Sequence, residues 1–264
     1  MLAVFNLKLE DGSDFYGHVG GVSVTGDYVF TVDDYQLYGF PIGDILSVVS
    51  SSSGSGEETK IVDLTVKIHE YVDAKASYVY HERKRNILWI GDFYEPGPVF
   101  TIPGWHQNGW VAGYILDDNS LPTSNVRYDV GHKNYMVLKP DFAILIKGGV
   151  QGFFLCEDVV GISLAFGLYD ATLALYSNPI SSGGGTETVD LPNGDNLEAY
   201  SIGETTVKEV KLPTGSEDLD CDCGSGNSHE VAVLFESASF IYKFPIRAAG
   251  GNVDDRAFTF TVEV

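Results

Sequence analysis

The stretch that decides the fold class is Phe5-Asn6-Leu7-Lys8-Leu9-Glu10-Asp11-Gly12-Ser13, followed closely by Phe15-Tyr16-Gly17-His18-Val19. Apolar and polar residues alternate in the first run, as they do in a half-buried strand. Residues 10–13 have the composition of a tight turn. The two runs therefore predict a β-hairpin.

Short strand-like runs continue from this hairpin to about residue 48. A run that starts at Val22 is followed by the turn type Gly26-Asp27, and the runs 28–32 and 36–40 are separated by Asp33-Asp34. Strands this short bury too little surface when they stand alone. We therefore expect the segment to curl into a small barrel.

The N-terminal pattern is similar to that of a known group of small barrels. It comprises a strand, an Asp-Gly turn, a strand that contains Gly17, and then Phe40-Pro41-Ile42 and Asp44-Ile45. Over residues 5–48 it resembles the SH3-like or Sm-like barrels, which implies a β-barrel fold. The RNA binding of Sm-like proteins is not implied, because their basic and aromatic nucleotide loops have no counterpart here.

Composition extends the all-β prediction to the whole chain. Its 15 Tyr, 15 Phe and 3 Trp suit a pleated surface, and its 30 Gly and 10 Pro supply turns. A shift of the chain by 114 residues aligns Gly17-His18 with Gly131-His132 and Phe40 with Phe154. These features predict repeated small β-barrel or sandwich modules joined by Gly/Ser-rich loops.

Breaks in composition divide the chain into four predicted segments. Residues 50–58 and 181–185 are rich in Ser and Gly, which is typical of connectors. The run 258–264 alternates strictly and predicts a terminal strand. The segments are a small barrel at 1–50, a hairpin-rich region at 59–124, a second similar β module at 125–180, and a C-terminal β region with an acidic cysteine loop at 186–264.

The charge of the chain excludes several classes of partner. Its 37 Asp and Glu against 16 Lys and Arg give a net charge of −21, which repels phosphate backbones and anionic lipid. No run approaches the roughly 18 apolar residues of a membrane span, and the start lacks a secretion signal. We expect neither a membrane partner nor direct nucleic-acid binding. The acidic bias suits a salt-rich habitat, where ions screen self-repulsion.

The sequence Asp218-Leu219-Asp220-Cys221-Asp222-Cys223 is the first candidate metal site. Carboxylates at every second position are typical of loops that wrap calcium, so Asp218, Asp220 and Asp222 are the predicted ligands of a divalent cation such as calcium. A soft-metal alternative uses Cys221, Cys223 and His229, which is one ligand short of the four in structural zinc sites. The third interpretation is a solvated acidic loop, and no other cofactor is expected.

The three cysteines, Cys156, Cys221 and Cys223, do not predict a disulfide framework. They are few and unevenly spaced. A bond between Cys221 and Cys223, two residues apart, would be strained. We therefore expect free thiols or metal ligands.

The basic cluster His81-Glu82-Arg83-Lys84-Arg85 stands out in an acidic chain. One interpretation is a charged hairpin tip that blocks edge pairing. The other is a subunit contact, in which Arg83, Lys84 and Arg85 dock against the acidic face of a neighbouring copy.

Two further patterns suggest ligand or substrate binding. Trp105 and Trp110 would suit stacking on a sugar, although core packing or a subunit contact fits the same residues. Asp92, Glu95, Asp117 and Asp118 are the candidate acids of a glycoside-type hydrolase. The nucleophile elbow, the phosphate-binding loop and the Rossmann fingerprint are all missing from the sequence, which disfavours an enzyme.

Together these features predict a non-catalytic protein that packs against copies of itself. Acidic β modules with glycine-rich loops are typical of virion components of tailed phages or archaeal viruses, by analogy of fold. We expect a virion structural protein of capsid or tail, assembled in the host cytoplasm from its own copies and other virion proteins. A carbohydrate- or ligand-binding β module is the alternative, and a glycoside-type hydrolase is the third hypothesis.

Overall fold

A computed structural model describes residues 3–17, 19–51, 60–92, 109–129, 135–164, 171–182, 186–191, 194–212, 216–224, 228–235 and 257–264. Within these residues the chain forms nineteen β-strands and one α-helix. In chain order the elements are β1 (Ala3–Lys8), β2 (Val22–Val24), β3 (Tyr28–Pro41), α1 (Ile42–Ser51), β4 (Lys60–Thr65), β5 (Ile68–Glu82), β6 (Ile87–Asp92), β7 (Trp110–Ile115), β8 (Arg127–Asp129), β9 (Met136–Leu138), β10 (Phe142–Leu145), β11 (Val150–Leu155), β12 (Val159–Leu164), β13 (Ala171–Ser177), β14 (Thr186–Asp190), β15 (Asn196–Ser201), β16 (Lys208–Leu212), β17 (Ser216–Asp222), β18 (Ser228–Phe235) and β19 (Ala257–Glu263).

The largest sheet has ten strands, eight of which follow the order β14-β15-β10-β7-β6-β5-β3-β2. Neighbours along this path are antiparallel, except for the parallel pair β10 and β15. Strands β8 and β9 pair with each other, and β9 also pairs with β5. The central strands β6 and β7 are buried at five of six positions, as strands covered on both faces are.

Two smaller sheets, β11-β12-β13-β16 and β17-β18-β19, pack on one face of the ten-stranded sheet. The core between the layers includes Tyr78, Trp89, Phe153 and Leu219. The opposite face forms a second core with residues of β8 and β9, which includes Trp110. Within the described residues, the strands along the β14-to-β2 path therefore have apolar packing on both faces.

Three large aromatic side chains lie over a glycine on the neighbouring strand. A Cβ atom added to any of these glycines would come within 1.8 to 2.6 Å of the ring. Since glycine has no Cβ, the ring can lie against the backbone of the neighbouring strand. The cross-strand pairs are Tyr78 with Gly91, Trp89 with Gly113, and Phe154 with Gly161.

The first strand belongs to a separate two-stranded sheet, in which β1 and β4 are parallel. Phe5, Leu7 and Leu64 pack with Tyr38 and Phe40 of β3 in a third, smaller core. Helix α1 follows Pro41 directly, contributes Ile45 to this core, and carries Asp44 in its first turn. An acidic residue there is stabilised by the positive end of the helix dipole.

The all-β prediction is confirmed, whereas the small barrel is not. The described strands of residues 3–41 close no barrel, since β1 pairs with β4 while β2 and β3 join the ten-stranded sheet. The predicted turn exists, because Leu9 N–H donates to the Ser13 carbonyl. It leads to a single bridge between Lys8 and Asp14 instead of a return strand. The run Val62-Asp63-Leu64 offers β1 large apolar residues at alternate positions, which Phe15-Tyr16-Gly17 lacks.

Two other N-terminal predictions are corrected. Asp33-Asp34 lies inside the 14-residue strand β3 instead of forming a turn. Residues 42–51, expected to complete the barrel, form α1 because Ile42, Ile45 and Val48 recur at helical spacing. The sequence also predicts strands at 61–71, 75–80 and 86–90. The structure interrupts the first run at 66–67, between β4 and β5, and continues β5 through 72–74, whereas the third run and the terminal run match β6 and β19.

Strands from all four predicted segments meet in the ten-stranded sheet, as β3, β6, β10 and β15 illustrate. In the described part of the chain the segments are therefore not separate sheets. The 114-residue shift carries β2 onto β9 and the start of β3 onto the start of β10. Yet β2 pairs with β3, whereas β9 pairs with β8 and β5, so the equivalent strands differ in topology.

Two remaining expectations concern connectors and membranes. Ser51 ends α1, while residues 52–58 and 183–185 of the predicted connectors lie outside the described residues. Within the described ranges, no helix combines the length and the apolar character needed to cross a membrane.

Substitution of Gly91 tests the aromatic packing between the layers. In Gly91→Ala the new methyl group would lie 1.8 Å from the fully buried ring of Tyr78. We expect a loss of about 1–3 kcal/mol in the free energy of unfolding, the usual cost of overpacking. The control is Gly43→Ala in α1, where nothing lies within 4 Å, and which should stabilise by roughly 0.5–1 kcal/mol. Urea denaturation measures both, and equal stability of the two variants would contradict this packing.

Candidate functional site

The three cysteines of the chain meet at the end of β17. Cys156 and Cys223 form a disulfide across 67 residues. The Sγ atom of Cys221 lies 3.5 Å from that of Cys156, and the three sulfur atoms lie within 4.8 Å of one another. The expectation of free thiols is therefore wrong for Cys156 and Cys223 and right for Cys221. We call these three residues the sulfur cluster.

The turn that carries Cys156 is held in place by the surrounding strands. Between β11 and β12, the Cys156 N–H donates to the Val159 carbonyl. The Asn178 side-chain amide donates to the Cys156 carbonyl at 2.6 Å. The Tyr80 hydroxyl donates to the Leu155 carbonyl at 3.3 Å and lies 3.8 Å from Cys223 Sγ. Tertiary contacts of the layers therefore position the sulfur cluster.

The Cys221 thiol is unreactive at neutral pH although it lies beside a disulfide. Its side chain is buried. Burial, together with the nearby carboxylates of Asp220, Asp222 and Asp158, raises the pKa of Cys221 to about 12. Since the thiolate is the form that attacks disulfides, Cys221 does not exchange with its neighbours at neutral pH.

The three predicted calcium ligands lie in a strand and not in a loop. Alternate residues of the extended strand β17 stand about 7 Å apart in a row, so Asp218, Asp220 and Asp222 do not converge on one point. Asp218 is buried, and its carboxylate accepts the Val22 N–H at 2.9 Å, which ties β17 to β2. The structure does not bring the three carboxylates together, and calcium binding stays a prediction.

His229, the third residue of the soft-metal alternative, lies beside the sulfur cluster. The register of β17 and β18 pairs Cys221 with Val231 and Asp222 with Glu230, which places His229 opposite Cys223. The ring is 2% exposed, and its Nε2 lies 3.3 Å from Asp158 Oδ2. Its Nδ1 has no hydrogen-bond partner among the described residues.

The basic cluster forms the turn between β5 and β6. Arg85 donates two hydrogen bonds to Glu82, at 2.6 and 2.9 Å, and Lys84 pairs with Glu157 at 2.7 Å. Arg83 is exposed and forms no ion pair within the described part of the chain. Two of the three predicted contact residues are therefore engaged inside the chain. The subunit contact stays a prediction that depends chiefly on Arg83.

The structure describes only Trp110 of the two tryptophans predicted to stack on a sugar. Trp110 begins β7 and is 1% exposed in the second core, so it cannot stack on a ligand, and that prediction is wrong. Core packing, the other interpretation of its sequence, explains Trp110. Trp105 lies outside the described residues.

A pair of acids, Asp73 and Asp92, marks a second polar site. Asp73 in β5 is buried, and its Oδ2 has no hydrogen-bond partner among the described residues. Burial and the nearby Asp92 raise the pKa of Asp73 well above its usual range. Burial also raises the pKa of Asp92, to about 7, against the opposing effect of Lys75.

This acid pair shares only Asp92 with the four carboxylates that the sequence suggested. Asp117 accepts the backbone N–H groups of Asn119 and Leu121 in its own turn, Asp118 is exposed, and Glu95 lies outside the described residues. Asp73 was missed by sequence reasoning. An acid between Val72 and Ala74, in an apolar strand-like run, is the signal that could have drawn attention to it.

An open strand edge is the third candidate site. Strand β4 pairs with β1 along one edge, and no described strand pairs with its other edge. The Val66 N–H donates to the Lys8 carbonyl, so it points toward β1. Because backbone groups alternate in direction along a parallel strand, those of Ile61, Asp63 and Thr65 point to the open side. The Ile61 side chain is 72% exposed.

No protein-family model and no curated protein matches the chain. Among solved structures, the chain is similar to the crystal structure of the computationally designed Ika4 protein. The sequence identity is 8% and the TM-score is 0.32, and the match covers 88% of this chain and 91% of that chain. A likeness at this level supports no statement about function.

Counting thiols tests the sulfur cluster. In the folded protein we expect no reaction of Cys221 with an aromatic disulfide reagent at pH 7.5, because the thiol is buried and protonated. In 6 M guanidinium one thiol per chain should react, and in Cys221→Ser none. Three reactive thiols in the denaturant would show that Cys156 and Cys223 are not bonded.

Substitution of Asp92 tests the acid pair through pH. An acid whose pKa is raised in the folded state favours folding at low pH, and this contribution is lost as pH rises from about 4 through 7. Melting of Asp92→Asn should therefore depend less on pH across this window, and the variant should gain a few degrees over the parent at pH 8. The exposed-site control Asp118→Asn should follow the parent. If the melting temperatures of Asp92→Asn and the parent change equally with pH, the raised pKa of Asp92 is refuted.

Proposed function

We propose that this protein is a structural component of a virus particle that acts by associating with copies of itself. The observation that carries the proposal is the open edge of β4, with its outward backbone groups and exposed Ile61. The occupant we propose for this edge is β4 of a second copy, paired antiparallel about a two-fold axis.

Two-stranded parallel sheets with a solvent-facing side are unusual, because parallel sheets are normally covered on both faces. Pairing of two copies would convert two such sheets into one of four strands. Each interchain backbone hydrogen bond adds about 0.5–1.5 kcal/mol. Full burial of an isoleucine adds roughly 1.5–3 kcal/mol. Several such terms together suffice for a stable contact.

Three other edge strands among the described residues, β14, β16 and β2, carry protection against pairing. Strand β14 presents Glu187 and Asp190 to solvent, and β16 presents Lys208, Glu209 and Lys211. Charged residues on an edge are a common protection against strand addition. The outward groups of β2 already meet side chains, since Val22 N–H donates to Asp218 and the Val24 carbonyl lies 3.2 Å from His81. Strand β4 also exposes an acid, Asp63, but the Asn6 side chain of β1 donates to its carboxylate at 2.9 Å. The exposed Ile61 is what distinguishes this edge and supports a partner there.

Charge sets the conditions for this association. Two copies with a net charge of −21 each repel one another over long distances. Salt shortens the range of that repulsion from about 10 Å at 0.1 M to about 3 Å at 1 M, while it leaves apolar contacts intact. Assembly in a salt-rich medium, and a role for Arg83 against an acidic neighbour, both follow from the proposal.

A glycoside-type hydrolase is the second candidate, favoured by the acid pair of Asp73 and Asp92. A carboxyl with a pKa near 7 beside another acid is the arrangement from which a general acid is built. Hydrolysis of aryl glycosides that is lost in both Asp73→Asn and Asp92→Asn would support an enzyme. No hydrolysis of such a panel by the parent protein would leave the structural proposal as the better one.

Association through β4 is tested with Ile61→Lys. The parent should form dimers or larger assemblies in sedimentation at 1 M NaCl, and fewer at 0.1 M NaCl. Ile61→Lys should weaken association at least tenfold, because it places a charge on the edge and removes the exposed apolar contact. The matched control is Val207→Lys, which changes a valine that is 50% exposed and lies outside the strands. It should associate like the parent.

Two results would overturn this proposal. One is a parent protein that stays monomeric at high concentration in both salt conditions. The other is equal association of Ile61→Lys and the parent, which would place any contact elsewhere.

A further inference from the structure

We propose that the reduced protein binds one thiophilic divalent cation, of which zinc is the representative, through Cys156, Cys221, Cys223 and His229. This site is independent of the strand-edge association. The soft-metal set of the sequence lacked a fourth ligand, and the fold brings Cys156 from the turn after β11 to supply it. Three thiolates and one imidazole form one of the common structural zinc sites.

The sulfur positions are close to those that a metal needs. Zinc–sulfur bonds of about 2.3 Å in a tetrahedron place sulfur atoms about 3.8 Å apart. Cys221 and Cys156 are already 3.5 Å apart, and the three sulfurs lie within 4.8 Å of one another. Reduction of the disulfide frees the sulfurs of Cys156 and Cys223 to adopt this spacing.

His229 has the surroundings of a metal-binding histidine. Metal ligands of this type usually donate the second ring N–H to a carboxylate, which fixes the ring for coordination through the other nitrogen. Here Nε2 lies 3.3 Å from Asp158, while the buried Nδ1 has no hydrogen-bond partner among the described residues. Continuing the register of β17 and β18 places His229 opposite Cys223, on the face that carries Cys221. Neither ring nitrogen lies within 4.8 Å of all three sulfurs, so the ring has to move toward the sulfur cluster when the cation binds.

The chemistry balances with a dithiol as reductant. The dithiol gives two electrons and two protons to the Cys156–Cys223 bond, which breaks into two thiols, and the reductant becomes a cyclic disulfide. Binding of the cation then releases the three thiol protons to solvent and leaves neutral His229 as the fourth ligand. A small-molecule disulfide reverses the process: it takes two electrons from the Cys156 and Cys223 thiolates, which form their disulfide, and it becomes two thiols with two protons from solvent. The cation is released, and the Cys221 thiolate regains a proton.

The experiment is a metal titration of the full chain before and after reduction. A phosphine reductant is used, which ends as a phosphine oxide with oxygen from water. We expect one zinc per chain in the reduced protein after desalting, and none in the oxidised protein. Cobalt should give the strong visible bands and the thiolate charge-transfer absorption of a tetrahedral site. Circular dichroism of the same samples reports folding.

Variants separate this site from adventitious binding. Cys156→Ser and Cys221→Ser should each lose the thiolate-rich cobalt spectrum. Asp158→Asn should lower zinc affinity by about 10- to 100-fold, the usual effect of removing a carboxylate behind a ligand histidine. His229→Ala should weaken binding at least as much, and His229→Cys should restore it. The exposed His69 provides the control His69→Ala, which should bind zinc like the parent.

Three results would overturn the proposal. The first is a reduced protein that binds no zinc, whether it stays folded or unfolds. The second is a cobalt spectrum without thiolate absorption. The third is equal zinc affinity of the parent, Cys156→Ser and His229→Ala.

Discussion

The packing of large aromatic rings against cross-strand glycines is the contact on which the layered structure depends. Tyr78 and Trp89 lie over glycines of the ten-stranded sheet, and Phe154 lies over a glycine of the sheet that packs on it. Phe153 reaches across to Trp89, with ring centroids 6.0 Å apart. These contacts set the position of β11, and with it the turn that carries Cys156. The sulfur cluster therefore forms where the layers close, and its geometry follows from the core.

A sheet buried on both faces leaves little room for a binding groove, so partners must be sought at edges and turns. This explains why Trp110, which the sequence suggested as a sugar-stacking residue, is buried in the second core. The described strand edges differ in the residues that they expose to solvent. Charges guard β14 and β16, while β4 presents Ile61 to solvent. In a chain with net charge −21, an isoleucine that is 72% exposed on an edge strand is a local apolar feature that suits contact with a second copy.

Local alternation predicted the strands well but could not predict which strands pair. The runs that form β6 and β19 are predictable from their own residues, because their patterning is local. The parallel pairing of Ala3 with Lys60 joins positions 57 residues apart, and no local pattern encodes it. The same holds for the sites. The motif around Cys221 and His229 was visible, whereas Cys156 and Asp73 gain their roles from tertiary contacts between distant segments.

The disulfide and the proposed metal site would connect the same three elements, namely the β11–β12 turn, β17 and β18. A disulfide across 67 residues contributes about 4 kcal/mol in the chain-entropy model, and that contribution is lost in a reducing compartment. A cation held by the same cysteines restores the connection there, since metal-binding free energy adds to folding free energy. On the proposed function, a particle protein meets a reducing environment during assembly and an oxidising one after release. Cys221 takes no part in the disulfide. It is needed as a metal ligand in the reducing environment and stays buried as an unreactive thiol in the oxidising one. This role accounts for a third cysteine beside the two that a disulfide requires.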